Sequence, residues 1–278
     1  MSSSLPTLRE IREAHGSNPV RREYERYLLF NGYLFRPIGF LLTWVAIRMG
    51  ATSEGVSWLS GAVGLAGCAL LVSGSQEAVP VGIGVLFLFN LLDCVDGDIA
   101  RSMKTQNPYG RFLDSVCGGV IDLAFWGIVG ITVFRHPQLL HWPTPFGYGS
   151  IFWLAIGGTV CFLYLLLGLL ESRFDELLRP FWKGGSGVGR TGEQQAGSEI
   201  ENQKPWPLRL IVATNLRVRE THYVLLLAAW WAGAVDLLLL LYLAYYFLHD
   251  VFILTVYVKR GRGIRGTYLA AKASSTGK

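Results

Sequence analysis

Charge is scarce in this chain. Asp, Glu, Lys and Arg make up 16% of its 278 residues while 51% are hydrophobic, a balance that excludes an ordinary water-soluble domain. Cysteine is equally sparse. Cys68, Cys94, Cys117 and Cys161 all fall inside apolar runs, so they read as reduced packing residues and no disulfide framework is expected. The first 27 residues are polar and mixed in charge, which predicts no cleavable signal peptide. A formal charge of +5 comes without any RNA- or DNA-reading motif, so no nucleic-acid partner is expected.

Long apolar runs are what the chain does have. Crossing a bilayer takes roughly 17–25 such residues, and residues 56–74, 79–100, 110–134 and 148–172 each qualify. A last block, residues 223–258, would be ~54 Å long as one helix, against a hydrocarbon core of ~30 Å. The turn-like Gly233-Ala234-Val235-Asp236 divides it into a hairpin of two short spans. Residues 28–50 are not counted, because their apolar core is short and Arg36 and Arg48 bracket it; they read as an amphipathic helix lying in the interface. With an inner N-terminus and six spans, every Lys and Arg except Arg135 falls on the inner side, which fixes the orientation.

The expected fold class is therefore all-α integral membrane: six transmembrane helices preceded by an interfacial amphipathic N-terminal helix, with both termini cytosolic. Residues 1–55 form the N-terminal segment, with a short helix near residues 8–14. Residues 56–258 form the transmembrane domain, in which 173–221 is a long cytosolic loop, and residues 259–278 form a basic, mobile cytosolic tail that can contact anionic lipid. In the loop, Gly184, Gly189, Arg190 and Thr191 imitate phosphate-loop spacing. The lysine is missing and no strand precedes them, so that motif is rejected.

Against this background five acids crowd one stretch: Asp93, Asp96, Asp98, Asp114 and Asp122. At 100° per residue, Asp93 and Asp96 lie within about 60° of each other at the inner end of the second span, with Gly97 and Ala100 on the same face. Asp98 points about 140° away from Asp93, toward solvent or a supporting role. Gly110, Asp114, Gly118 and Asp122 follow at steps of four on the next span. A short loop makes the two helices antiparallel neighbours, so Asp93, Asp96 and Asp114 can converge at one depth. Each bare carboxylate costs roughly 2.5–3.5 kcal/mol in a membrane helix, and several together repel. A divalent cation relieves both problems, and oxygen ligands suit Mg²⁺ or Mn²⁺. Two such ions can clamp a diphosphate, and Arg101 can donate to an acid or a phosphate.

Written out, the stretch is Asp93-x2-Asp96-Gly97-x2-Ala100-Arg101-x8-Gly110-x3-Asp114-x3-Gly118. It resembles the signature of the CDP-alcohol phosphotransferases, D-x2-D-G-x2-A-R-x8/9-G-x3-D-x3-D, at every position but the last, where Gly118 replaces the fourth aspartate. A second departure is Thr52-Ser53-Glu54-Gly55-Val56-Ser57, where the family often has a Pro-Asn…Thr stretch. The resemblance implies a transferase of phospholipid biosynthesis, in which an acceptor hydroxyl attacks a CDP-linked donor and CMP leaves. It implies Asp93, Asp96 and Asp114 as ligands of two Mg²⁺ or Mn²⁺ ions. Gly97, Ala100 and Gly110 would line the nucleotide pocket, and Arg101 would support the site. It further implies a CDP-linked lipid donor, an alcohol or phosphorylated acceptor, membrane lipids as surroundings, a homodimer, and a multi-pass protein of the cell (inner or plasma) membrane with its site at the cytosolic face.

The family's fourth aspartate is a metal ligand or the proposed general base, and Gly118 can be neither. Three explanations stand. Asp122, one turn deeper, could reach back past Gly118 and Gly119 as the base; the acceptor could be acidic enough to need none; or the chemistry is weakened or changed. Two alternative functions remain at this stage: a catalytically weakened or altered-donor member that binds CDP-lipid, and a cation transporter built on the Asp cluster.

Overall fold

The computed structural model describes residues 5–73, 75–139, 151–178 and 206–276. The centre of the long loop, with the rejected phosphate-loop residues, lies outside them. Among the described residues all regular structure is helical. The N-terminal segment holds α1 (Leu8–His15) and α2 (Pro19–Arg26), then a π-helical turn, Asn31–Phe35, that runs into α3 (Arg36–Arg48). The membrane domain follows as α4 (Ser53–Leu71), α5 (Ala78–Ser102), α6 (Pro108–Arg135) and α7 (Ile151–Leu177). After the loop come α8 (Leu208–Asn215), α9 (Arg219–Trp231) and α10 (Val235–Thr276).

Local chemistry sets the boundaries near the acids. Thr52 caps α4 by accepting from the Gly55 amide at 3.1 Å. Asn107 caps α6 by accepting from the Gly110 amide at 2.8 Å, with Pro108 as the first helical residue, a position where proline's missing N–H costs nothing. The chain is thereby stopped at Ser102 and restarted at Pro108, which gives α5 and α6 their antiparallel course.

Five described helices are long and apolar enough to cross a membrane: α4, α5, α6, α7 and α10 up to Gly266. The chain is a multi-pass integral membrane protein. The expected count of six spans is corrected on one point: the hairpin at residues 223–258 is present, turning at Gly233 with φ +61°, but α9 has only 13 residues, or about 20 Å. It is short because it starts inside the bundle, where Arg219 meets Asp122 of α6. A second correction concerns the tail. Expected to be mobile, it continues α10 as helix to Thr276. Residues 28–50 hold α3, whose 13 residues are not among the candidate spans.

Small residues let the membrane helices approach closely, as packing in lipid requires. A Cβ added at Gly157 of α7 would lie 2.6 Å from the Cα of Gly130 in α6, so this crossing tolerates no side chain on either partner. Above it the core is aromatic: Trp126, Tyr223, Tyr242 and Tyr246 are buried, with the Trp126 and Tyr242 rings 4.1 Å apart. A smaller cluster of Ile11, Ile47, Val56, Val95 and Ile99 fastens α1 and α3 to the C-terminal end of α5. All four cysteines are free.

Candidate functional site

The start of α4, the end of α5 and the start of α6 enclose a cleft of about 400 Å³. Asp96, Gly97, Ala100, Arg101, Gly110 and Asp114 all line it, so six of the eight residues singled out by spacing meet at one cavity. Asp93 and Asp114 face each other directly, and Asp96 is close enough to feel both charges. Asp96 is 2% exposed. One of its oxygens accepts from the Ser57 hydroxyl, while Oδ1 is buried with no hydrogen-bond partner among the described residues. The departure at residues 52–57 thus has a structural reading. Thr52 caps the helix, Ser57 holds the central acid, and Glu54 accepts from Asn107 Nδ2 at 3.3 Å.

Asp98 takes the supporting one of its two expected places. It points away from Asp93 as the helical wheel requires, yet it meets protein, not solvent, because α1 covers it; its side chain is 0% exposed. Its Oδ1 accepts from Arg101 Nη2 at 2.6 Å and lies 2.8 Å from His15 Nδ1, and Oδ2 is 3.7 Å from Arg36 Nη1. The other ring nitrogen, His15 Nε2, lies 2.6 Å from Glu25, which also accepts from Arg36 at 2.7 Å. A ring whose two nitrogens both face carboxylates must carry both protons. Burial opposes that charge, but the bonds to Asp98 and Glu25 outweigh it and raise the His15 pKa above its usual 6.5. Glu25 is held below its usual 4.5, because His15 and Arg36 outweigh its burial. Arg101 consequently sits at the cleft wall with one nitrogen committed to Asp98.

The remaining two residues, Asp93 and Asp122, meet a group that the sequence pattern did not reveal. Arg219, the first residue of α9, places Nη1 3.1 Å from Asp93 and Nη2 3.0 Å from Asp122. Its guanidinium also lies 5.0 Å from the Phe89 ring centre. It lies beside Gly118: a Cβ there would come within 2.8 Å of Arg219 Nη2. No spacing rule connects residues 118 and 219. The one available signal was the glycine pair itself, which leaves room for something large to enter from elsewhere.

The donor set was tested against the divalent ion that the sequence implied. Among the described residues no group of three or more His, Cys, Asp or Glu stands ready as a metal cage. The buried, unpartnered Oδ1 of Asp96, with Asp114 across the same cleft, does offer the hard oxygen donors that Mg²⁺ or Mn²⁺ prefers. Asp93 contributes less freely, since its Oδ2 is held by Arg219.

Comparison with known proteins adds an independent finding. The model of the family described as CDP-alcohol phosphatidyltransferase matches residues 53–170, the stretch that supplies α4, α5, α6 and most of α7. No curated protein matches the chain. Residues 53–170, which contain the whole acid motif, are thus similar to the CDP-alcohol phosphatidyltransferase family, enzymes that release CMP.

Proposed function

We propose that the chain transfers a phosphatidyl or related phospho-alcohol group from a CDP-linked lipid donor to an acceptor hydroxyl, releasing CMP, at the cytosolic face of the cell membrane. The observation that carries this reading is the convergence of Asp96, Gly97, Ala100, Arg101, Gly110 and Asp114 on one cleft. The orientation rests on charge: Arg21, Arg101 and Arg111 gather at this end, as the inner side of a membrane protein demands. Counting α9 as a short crossing, started at depth, restores six passes and returns α10 to the cytosolic side.

Gly97, Ala100 and Gly110 carry little or no side chain, so a flat base and ribose can lie close to backbone, with the Arg101 guanidinium over Gly97. Arg101, with one nitrogen on Asp98, is held where its other N–H groups can meet the donor's phosphates. Arg21 and Arg111 place further positive charge on the same cleft. Asp96 and Asp114, with the Asp93 oxygen that Arg219 leaves free, are the residues that would hold a divalent ion. A bound ion would supply Lewis-acid stabilisation of the diphosphate and its leaving oxygen. Asp122 is assigned a different part from the base the spacing suggested. Bonded to Arg219 at 3.0 Å, it anchors the guanidinium, which leaves the acceptor to lose its proton without it. That assignment favours a phosphorylated alcohol as acceptor, because its own phosphate can take the proton that the attacking hydroxyl loses.

The test is CMP release by the reconstituted protein given CDP-diacylglycerol and Mg²⁺ with a panel of acceptors: inositol phosphate, glycerol phosphate, serine and sugar phosphates. Acceptor-dependent release that is lost in Asp93→Asn supports the proposal. Silence with every acceptor from a folded protein that binds CDP sinks it in favour of a different donor or a weakened enzyme.

A further inference from the structure

The spacing of the acids suggested two divalent ions, but the four-acid set is occupied from one side. Asp93 and Asp122 converge on Arg219 at 3.1 and 3.0 Å, from two different helices, and Phe89 backs the guanidinium. Arginine does not deprotonate in proteins, so this positive charge is permanent. A side chain at position 118 would shift the guanidinium from its present place, since a Cβ there already falls 2.8 Å from Nη2. Gly118 thus leaves the space that Arg219 occupies.

Resting on the transferase reading above, we propose that Arg219 stands in the place of a second divalent ion, so that this site takes one ion at Asp96 and Asp114 and one fixed cation between Asp93 and Asp122. The guanidinium offsets one of the four carboxylate charges, and an ion at Asp96 and Asp114 would offset two more. The fixed cation also has geometric consequences: it donates hydrogen bonds in a plane and binds regardless of metal supply. The cleft on the Asp96 side is left open to an exchangeable ion, whereas the Asp93–Asp122 side is closed by protein.

The experiment is the number of Mn²⁺ ions bound per chain at saturation, with Mn²⁺ alone as probe and the purified full chain in lipid nanodiscs. Electron paramagnetic resonance reads free Mn²⁺, and CMP release is followed in parallel. The expected result is one ion for the wild type, none for Asp96→Asn, and two for Gly118→Asp combined with Arg219→Ala. Arg219→Gln, which keeps Gly118 and introduces no new carboxylate, is the second variant if the double one does not fold; it should gain a second, weaker Mn²⁺. Two ions in the wild type would overturn the inference, and with CMP release intact would leave the transferase reading standing. One ion in the wild type and no gain in either folded variant would also overturn it. No ion with no CMP release would remove both.

Discussion

Asp96 and Asp98 lie two residues apart on α5, are 2% and 1% exposed, and are treated in opposite ways. Around Asp98 the N-terminal segment brings His15 and Arg36, and α5 itself adds Arg101, so the acid is surrounded by positive charge drawn from three helices. Around Asp96 the protein offers one hydroxyl, Ser57, and leaves an oxygen without a partner at the edge of a cleft. The same residue type at nearly the same depth is a fastening on one face of the helix and an unmet demand on the other. Burial alone does not identify a functional acid. What separates the two is their surroundings: the unpartnered oxygen of Asp98 faces Arg36 at 3.7 Å inside the fold, whereas that of Asp96 belongs to an acid lining a cleft.

The contrast can be broken first at the fastening. Asp98→Ala leaves three cationic groups facing one another in a closed space, and breaking a buried charge pair costs about 3–5 kcal/mol. Thermal unfolding in detergent should show that loss, with faster proteolysis of residues 5–26. A variant of unchanged stability would mean that α1 contributes nothing to holding α5. At the cleft, Asp96→Asn should do the reverse, lowering CMP release about 10²–10³-fold while stability is kept or improved by the relief of repulsion with Asp93 and Asp114. If unfolding moves as far as it does in Asp98→Ala, the two faces are not different after all.

Ser57→Ala sharpens the cleft side. It deletes the one hydrogen bond Asp96 receives from a side chain, and bonds to charged groups are worth about 1.5–3 kcal/mol. Turnover should fall by roughly one order of magnitude, and wild-type rates would show that Ser57 does not orient the acid. The smallest expected effect is a pH dependence confined to the fastening side, where Asp98, Glu25 and Arg36 face His15. The raised His15 pKa makes its contribution complete below 6.5 and lost as pH climbs through the raised value. The depressed Glu25 pKa makes its contribution complete above 4.5 and lost as pH falls through the lowered value. Docking of α1 and α2, followed by proteolytic protection, should therefore be strongest between these limits and weaken on either side. In a His15→Gln variant the alkaline limb should disappear.

Much of the site was legible because it is local. Asp93, Asp96, Gly97, Ala100 and Arg101 lie on one helix, Gly110 and Asp114 on the next, and a short capped loop joins them, so helical periodicity and one turn suffice to bring them together. The span boundaries were legible for the same reason, apart from α9, whose start is set by a contact and not by its own hydropathy. What escaped was long-range. His15 reaches Asp98 across 83 residues, and Arg219 reaches Asp122 across 97.

Sequence by itself determined that this chain is a helical multi-pass membrane protein and that a family motif of acids and small residues sits where two successive helices meet. These follow from composition and period, which act over a few turns of chain. Only the tertiary structure decided that Asp98 is a fastening and that Arg219 fills the place beside Gly118. Which cation approaches a given carboxylate depends on how distant helices dock, and no local preference of the chain encodes that.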